Sequence, residues 1–321
     1  MLRLFFRVRA FCVLIGAFLP ATWRYRNVRQ RLAFPSGIRL DERELRRFRH
    51  YYFGVTYLAA IMRSLRGRGR SHNEQDLFAQ MAALACFFDD LTDHYASESA
   101  LPPDAIADPE TFGAIADRRG IALHLLQAIY QRLPAQNLPH FRAFMLRVFQ
   151  TEISIEHPDD PKDLFDIHAE KGGCSVLLFR SLLNEPLGRH EENAWFQFGA
   201  LVQLSDDIFD LWHDHQAGIH TPATQHAGCG APEALATQFE QQALVARDAF
   251  LKTSFPAHRI ETALGLQHIL ESITRVCLRH YLRLSRRHVR LPLEDRTLMV
   301  VDMQKLHNRL KVVGQWLYPI R

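Results

Sequence analysis

Val202-Gln203-Leu204-Ser205-Asp206-Asp207-Ile208-Phe209-Asp210-Leu211-Trp212-His213-Asp214 sets four acidic side chains among large apolar ones. On a continuous helix Asp206, Asp210 and Asp214 fall at i, i+4 and i+8 and share one face. A second stretch, Ala85-Cys86-Phe87-Phe88-Asp89-Asp90-Leu91-Thr92-Asp93, begins the same pattern 117 positions earlier, with Asp89 and Asp93 at i, i+4. Like charges at that spacing cost a bare helix roughly 0.2–0.5 kcal/mol per pair, and desolvation among Phe, Leu and Trp adds to it. A divalent cation reverses the sign of that penalty. Clustered carboxylate oxygens suit Mg2+, which keeps several waters and bridges one or two carboxylates to a substrate phosphate. The candidate metal ligands are therefore Asp89, Asp90 and Asp93 in one stretch and Asp206, Asp207, Asp210 and Asp214 in the other.

The chain around these stretches reads as helix. Asp41 is placed to cap a run that reaches about Leu65 and stops at Gly67, with Leu45, Phe48, Tyr52 and Val55 on one side. Ser71 or Asn73 opens the next helix, which carries the first acidic stretch and is broken at Leu101-Pro102-Pro103. Further helical stretches are expected at 109–117, 120–133, 138–156, 162–184, 191–216, 232–253, 257–288 and 294–317, with loops at Asn184 to Arg189 and Ala217 to Ala231. No strand pair with a hairpin turn, internal repeat or low-complexity tract stands out. The expected architecture is all-α: a single bundle of about ten helices around a central cavity over residues 41–321, preceded by a basic and apolar segment, residues 1–40.

Charge is unevenly distributed. Residues 1–70 hold 16 Arg and 3 acidic residues, whereas residues 71–321 hold 23 basic and 32 acidic. No zinc-finger, RRM or basic-zipper pattern accompanies the basic part, so nucleic acid is not an expected partner. The run Ala10 to Leu19 is uncharged and ends at Pro20, short of the ~20 residues that span a bilayer. With its flanking arginines it suits a membrane-surface helix, and a core-packing helix is the competing reading. Five widely spaced cysteines with no CxxC point to a reducing, cytoplasmic compartment and away from structural zinc.

The two acidic stretches also carry a family resemblance. Asp89-Asp90-Leu91-Thr92-Asp93 resembles the first aspartate-rich motif, DDxxD, of class I isoprenoid synthases, and Gln203 to Asp214 resembles their second. The second stretch is similar to the QLxDDxxDxxxD pattern of trans-prenyltransferases and, less closely, to the QLxNxxxDxxxD pattern of squalene and phytoene synthases. The likeness spans roughly residues 70 to 290 by motif order and spacing. It implies ionisation of an allylic prenyl diphosphate, two or three Mg2+ ions (Mn2+ as a substitute), and ligands among the seven aspartates, with Asp89, Asp93, Asp206 and Asp210 foremost. It also implies a diphosphate-binding lysine, which Lys171 resembles, in a helix broken near Gly172-Gly173. A homodimer is compatible with it.

Other residues weigh in less. Gly172 and Gly173 either let backbone groups approach substrate or permit close helix packing. Arg180, nine residues after Lys171, faces the other way on an unbroken helix and is expected to pair with Glu185 or Glu191. Arg279, Arg283 and Arg286 make a basic face, and Arg279-His280-Tyr281 departs from the adjacent Arg-Tyr pair of terpene cyclases. Phe88 and Phe209 are candidate pocket walls. Together with Phe87, Phe144, Phe149, Phe179 and Trp212 they suit ordinary core better than a carbocation cage.

The arginine pair that chain-elongating enzymes carry after the first motif is missing from Asp93 to Ala100, which places elongation last. The expected activity is that of a terpene synthase, a diphosphate-releasing lyase, with a squalene/phytoene-like head-to-head transferase second. A catalytically silent subunit is the non-enzyme alternative. A di-iron carboxylate bundle is excluded, since no Glu is followed by His three residues later.

Overall fold

The structure, a computed structural model, describes residues 2–31, 41–92, 103–109, 118–156, 164–288 and 290–317. Among these residues there is no strand. The helices are α1 (Leu2–Arg31), α2 (Glu42–Arg66), α3 (His72–Thr92), α4 (Pro103–Ala107), α5 (Arg118–Arg132), α6 (Leu138–Glu156), α7 (Leu164–Ser181), α8 (Arg189–Phe209), α9 (Leu211–Ala217), α10 (Pro222–Gly228), α11 (Pro232–Leu251), α12 (Ala257–Ser285), α13 (Arg296–Met299) and α14 (Leu306–Leu317). The fold is all-α. Fourteen helices are described: α1 precedes the stretch over which about ten were expected, α4, α9, α10 and α13 are single-turn or two-turn pieces, and the helix expected at 109–117 lies almost wholly outside the described residues.

Local chemistry explains the boundaries. Asp41 and Glu44 close a reciprocal capping box with both bonds at 2.7 Å, and Gly67 ends α2 at φ 72°, a left-handed position that suits glycine. Ser71 and Glu74 form the same device at the start of α3.

The structure corrects three expectations. Helix 191–216 breaks at Asp210, whose backbone (φ −95°, ψ 7°) ends α8 and begins α9. The loop from Ala217 to Ala231 contains α10, nucleated by a Thr221/Thr224 capping box with Pro222 at the first helical position. Helix 294–317 is two helices, because Asp302 accepts the Gln304 N–H at 2.8 Å in a local turn that competes with helical bonding. In addition, α1 continues through Pro20. Proline forfeits one helical bond, and packing of α1 along α2 and α12 holds the helix through that loss.

The termini of the long helices gather at two poles. At one, Arg66 of α2 bonds Glu74 of α3 and Glu185 (both 2.8 Å), Arg132 of α5 meets Asp76 of α3, and Asn137 bonds the carbonyls of Ser181 and Leu183. Helices are stiff rods of 1.5 Å rise per residue. The C-terminal ends of α3, α6 and α8 and the N-terminal end of α7 therefore lie toward the other pole. Phe88 of α3 packs edge-on against Phe149 of α6 at 6.2 Å, and Lys171 of α7 bonds Glu152 of α6 at 2.8 Å. His168 of α7 then meets Asp207 of α8 at 3.1 Å. This sequence of contacts puts the last turns of α3 and of α8 at the same pole, with α6 and α7 between them.

Candidate functional site

The α7–α8 pair sets the site, and glycine sets the pair. A Cβ on Gly172 would strike the Gly199 carbonyl and lie 2.5 Å from Gln203 Cβ, and one on Gly199 would strike the backbone of Gly172 and Gly173. A Cβ on Gly173 would strike the Phe196 ring. The two helices thus touch backbone to backbone, antiparallel, and α7 continues through Gly172-Gly173 without the break that the resemblance implies. These glycines serve close packing. Lys171, one position before them, is half-buried and ion-paired to Glu152.

The second acidic stretch divides into an inner and an outer part. Asp207 is only 3% exposed. Its Oδ1 accepts from Gln203 Nε2 at 2.9 Å, and its Oδ2 lies 3.1 Å from His168 Nδ1 but off the alignment a hydrogen bond needs. His168 Nε2 lies 3.2 Å from the His220 carbonyl, which positions the ring beside Asp207. Asp207 Oδ2 is thus buried with no aligned hydrogen-bond donor. Asp214 is half-buried; burial first, then Asp207, Asp210 and Asp206, push its carboxyl up to about 7. Asp210 is raised by partial burial and by Asp207, against the opposing pull of His213. Asp206 and Asp210 face solvent.

Asp206, Asp207 and Asp210 all act electrostatically on Asp214, so the four carboxylates concentrate negative charge in one region. Hard oxygen donors, one orphaned carboxylate oxygen and surplus negative charge fit Mg2+. Among the described residues no three His, Cys, Asp or Glu side chains converge as a finished metal shell. Such a shell is not required for an ion that takes one or two carboxylates and completes its sphere with water and phosphate.

Structural supports frame the region. Tyr281 of α12 donates to the Ile208 carbonyl at 3.1 Å, Arg296 of α13 lies 5.6 Å from the Trp212 ring, and Phe165, Phe209 and Trp212 are each half-buried against the apolar cluster of α8, α11 and α12. In α3, Asp89 and Asp90 lie in the last turn, and their side chains, like all of Asp93, lie outside the described residues, as does the expected approach of Asp89 to Asp206. Phe88 is buried beside Phe149, and Phe87, Phe144 and Phe179 are likewise core. Arg180 is buried and forms two bonds to Glu191 and others to the carbonyls of Glu185 and Pro186. Arg283 and Arg286 are exposed.

The role of His168 is invisible in sequence, because it depends on the register that Gly172 and Gly199 impose between two helices. A cavity of about 490 Å3 is bordered by Phe6, Glu240, His268, Glu271, Arg275 and Arg279 among others, and none of the described aspartates Asp206, Asp207, Asp210 and Asp214 lines it. No protein-family model and no curated protein sequence matches this chain.

Proposed function

We propose that the protein is a Mg2+-dependent class I terpene synthase that ionises an allylic prenyl diphosphate. The observation that carries this reading is the Asp206, Asp207, Asp210 and Asp214 group, at the same pole of the bundle as the end of α3 that bears Asp89 and Asp90. Asp206, Asp210 and Asp207, with Asp89 and Asp93, would hold the ions. When bound, Mg2+ supplies Lewis-acid stabilisation of charge on a phosphoryl oxygen.

The chain's own residues do the rest. Gln203 fixes the Asp207 carboxylate with His168 packed beside it, and Lys171, spaced one turn from His168 on α7, offers a cation that exchanges Glu152 for diphosphate. Phe165, Phe209 and Trp212 keep the neighbourhood of the breaking C–O bond apolar. The cation left on the prenyl chain, cyclised or not, is quenched by loss of a proton or by capture of water, which then gives up a proton. Prenyl chains partition into lipid, and we read the protein as cytoplasmic with α1 in peripheral contact with a membrane. The α1 segment Phe5–Arg26 is long and apolar enough to cross one by length and composition, yet α1 packs along the bundle and buries Ala10 and Ala21.

Incubating the protein with Mg2+ and allylic prenyl diphosphates of increasing chain length should release inorganic diphosphate and an extractable hydrocarbon or alcohol. Asp206→Ala and Asp210→Ala should each lower the rate on the order of a hundredfold or more with helical content unchanged. Turnover at the wild-type rate in EDTA would overturn the proposal.

A further inference from the structure

Two helices from opposite ends of the chain present apolar faces to solvent side by side. On α1 the exposed residues are Phe5 (61%), Val8, Phe11, Ile15, Leu19 and Trp23 (84%). Their spacings of three or four residues keep them on one stripe through five turns. On α14, Leu306 (70%), Leu310 and Val313 repeat the pattern. Trp316 of α14 lies 5.8 Å from the Phe11 ring, and Phe11 and Val313 line one apolar groove of about 290 Å3 floored by Ile269 and Ile273 of α12. The stripes are thus parts of one surface.

Its charge identifies the occupant. Residues 1–40 carry eight Arg and no acidic residue, residues 303–321 carry four basic and no acidic residue, and residues 41–302 carry 27 basic against 35 acidic. Exposed Arg9, Arg26, Lys305, Arg309 and Lys311 flank the stripes. We infer that α1 and α14 together form a docking face for an anionic lipid bilayer, their apolar stripes entering the acyl boundary and their basic residues meeting the headgroups. The inference rests on the reading of α1 as membrane contact and adds α14 as an equal partner. Because α1 is fixed along α2 and α12, the face lies in the membrane plane.

Co-sedimentation of the full chain with phosphatidylglycerol-containing vesicles, against phosphatidylcholine alone, tests it. The wild type should bind the anionic vesicles. The double exchange Leu306→Glu/Leu310→Glu should weaken binding about tenfold or more, as should Leu19→Glu/Trp23→Glu, with thermal unfolding unchanged. A second α14 variant, Lys305→Ala/Arg309→Ala, keeps the apolar stripe and should lose part of the preference for anionic over neutral vesicles. If only the α1 variants weaken binding, α14 is not part of the face and the inference falls while the α1 reading stands. If the wild type binds no vesicle, both fall. A dimer in light scattering that Leu310→Glu dissociates, without vesicle binding, would assign the face to a second copy and overturn the proposal.

Discussion

Glu74 shows how one buried charge joins three elements. It is 1% exposed and accepts from Arg66 of α2 at 2.8 Å, from its own cap residue Ser71 at 2.6 Å and from the Asn184 N–H at 3.1 Å. Burial alone would raise its pKa; these donors outweigh burial and hold it below the ordinary 4.5. A depressed folded pKa means that the unfolded chain binds the proton more tightly. The stabilisation is therefore complete above the ordinary carboxylate range and is lost as pH falls through the lower folded value. Glu74→Gln should cost about 3 kcal/mol at neutral pH, and the gap from wild type should narrow below about pH 4. Urea denaturation at two pH values checks this. At the site, the acidic character of Asp206 to Asp214 is plain in the sequence, but its grouping is not. Helical periodicity joins Asp206, Asp210 and Asp214, whereas the break at Asp210 and the contact with His168 turn Asp207 and Asp214 inward.

Between helices, glycine has opposite consequences at two positions. Gly54 lies inside α2, and a methyl group there would meet nothing within 4 Å, so Gly54→Ala gains only helix propensity and should stabilise by about 0.5–1 kcal/mol. Gly172→Ala gains the same propensity but drives its Cβ into main-chain atoms of Gly199, which cannot rotate away. Overpacking of this kind costs about 1–3 kcal/mol, so the net effect should be destabilising. Chemical denaturation of the two variants should move in opposite directions. The caps of α2 and α3 are legible in the sequence because Asp41/Glu44, Ser71 and Gly67 act through neighbours along the chain. For Gly172 the sequence alone supports two readings, since its packing neighbour Gly199 is 27 positions away.

Across the molecule, α1 is integral to the bundle. Ala10 is fully buried, a Cβ at Gly265 would lie 2.9 Å from its methyl, Arg7 donates to the Leu317 carbonyl at 2.8 Å and Tyr25 donates to the Leu45 carbonyl at 3.0 Å. Removing residues 1–31 should lower Tm by several degrees and raise binding of a hydrophobic dye, because apolar faces of α2 and α12 lose their cover; an unchanged Tm would show α1 to be an appendage. Composition and periodicity reveal the helical class and the unusual charge of the N-terminal end. They do not reveal that α14 lies beside it, since that adjacency is set by packing on α12.

The backbone contact between Gly172 and Gly199 has a consequence for engineering. Where side chains separate two helices, their spacing drifts whenever the core is repacked. Here main-chain atoms act as a fixed gauge, so the distance from Lys171 and His168 to the α8 aspartates is insulated from changes in core volume elsewhere. A designer can alter the Phe and Leu residues of the bundle for stability and leave that gap untouched, provided the two glycines stay.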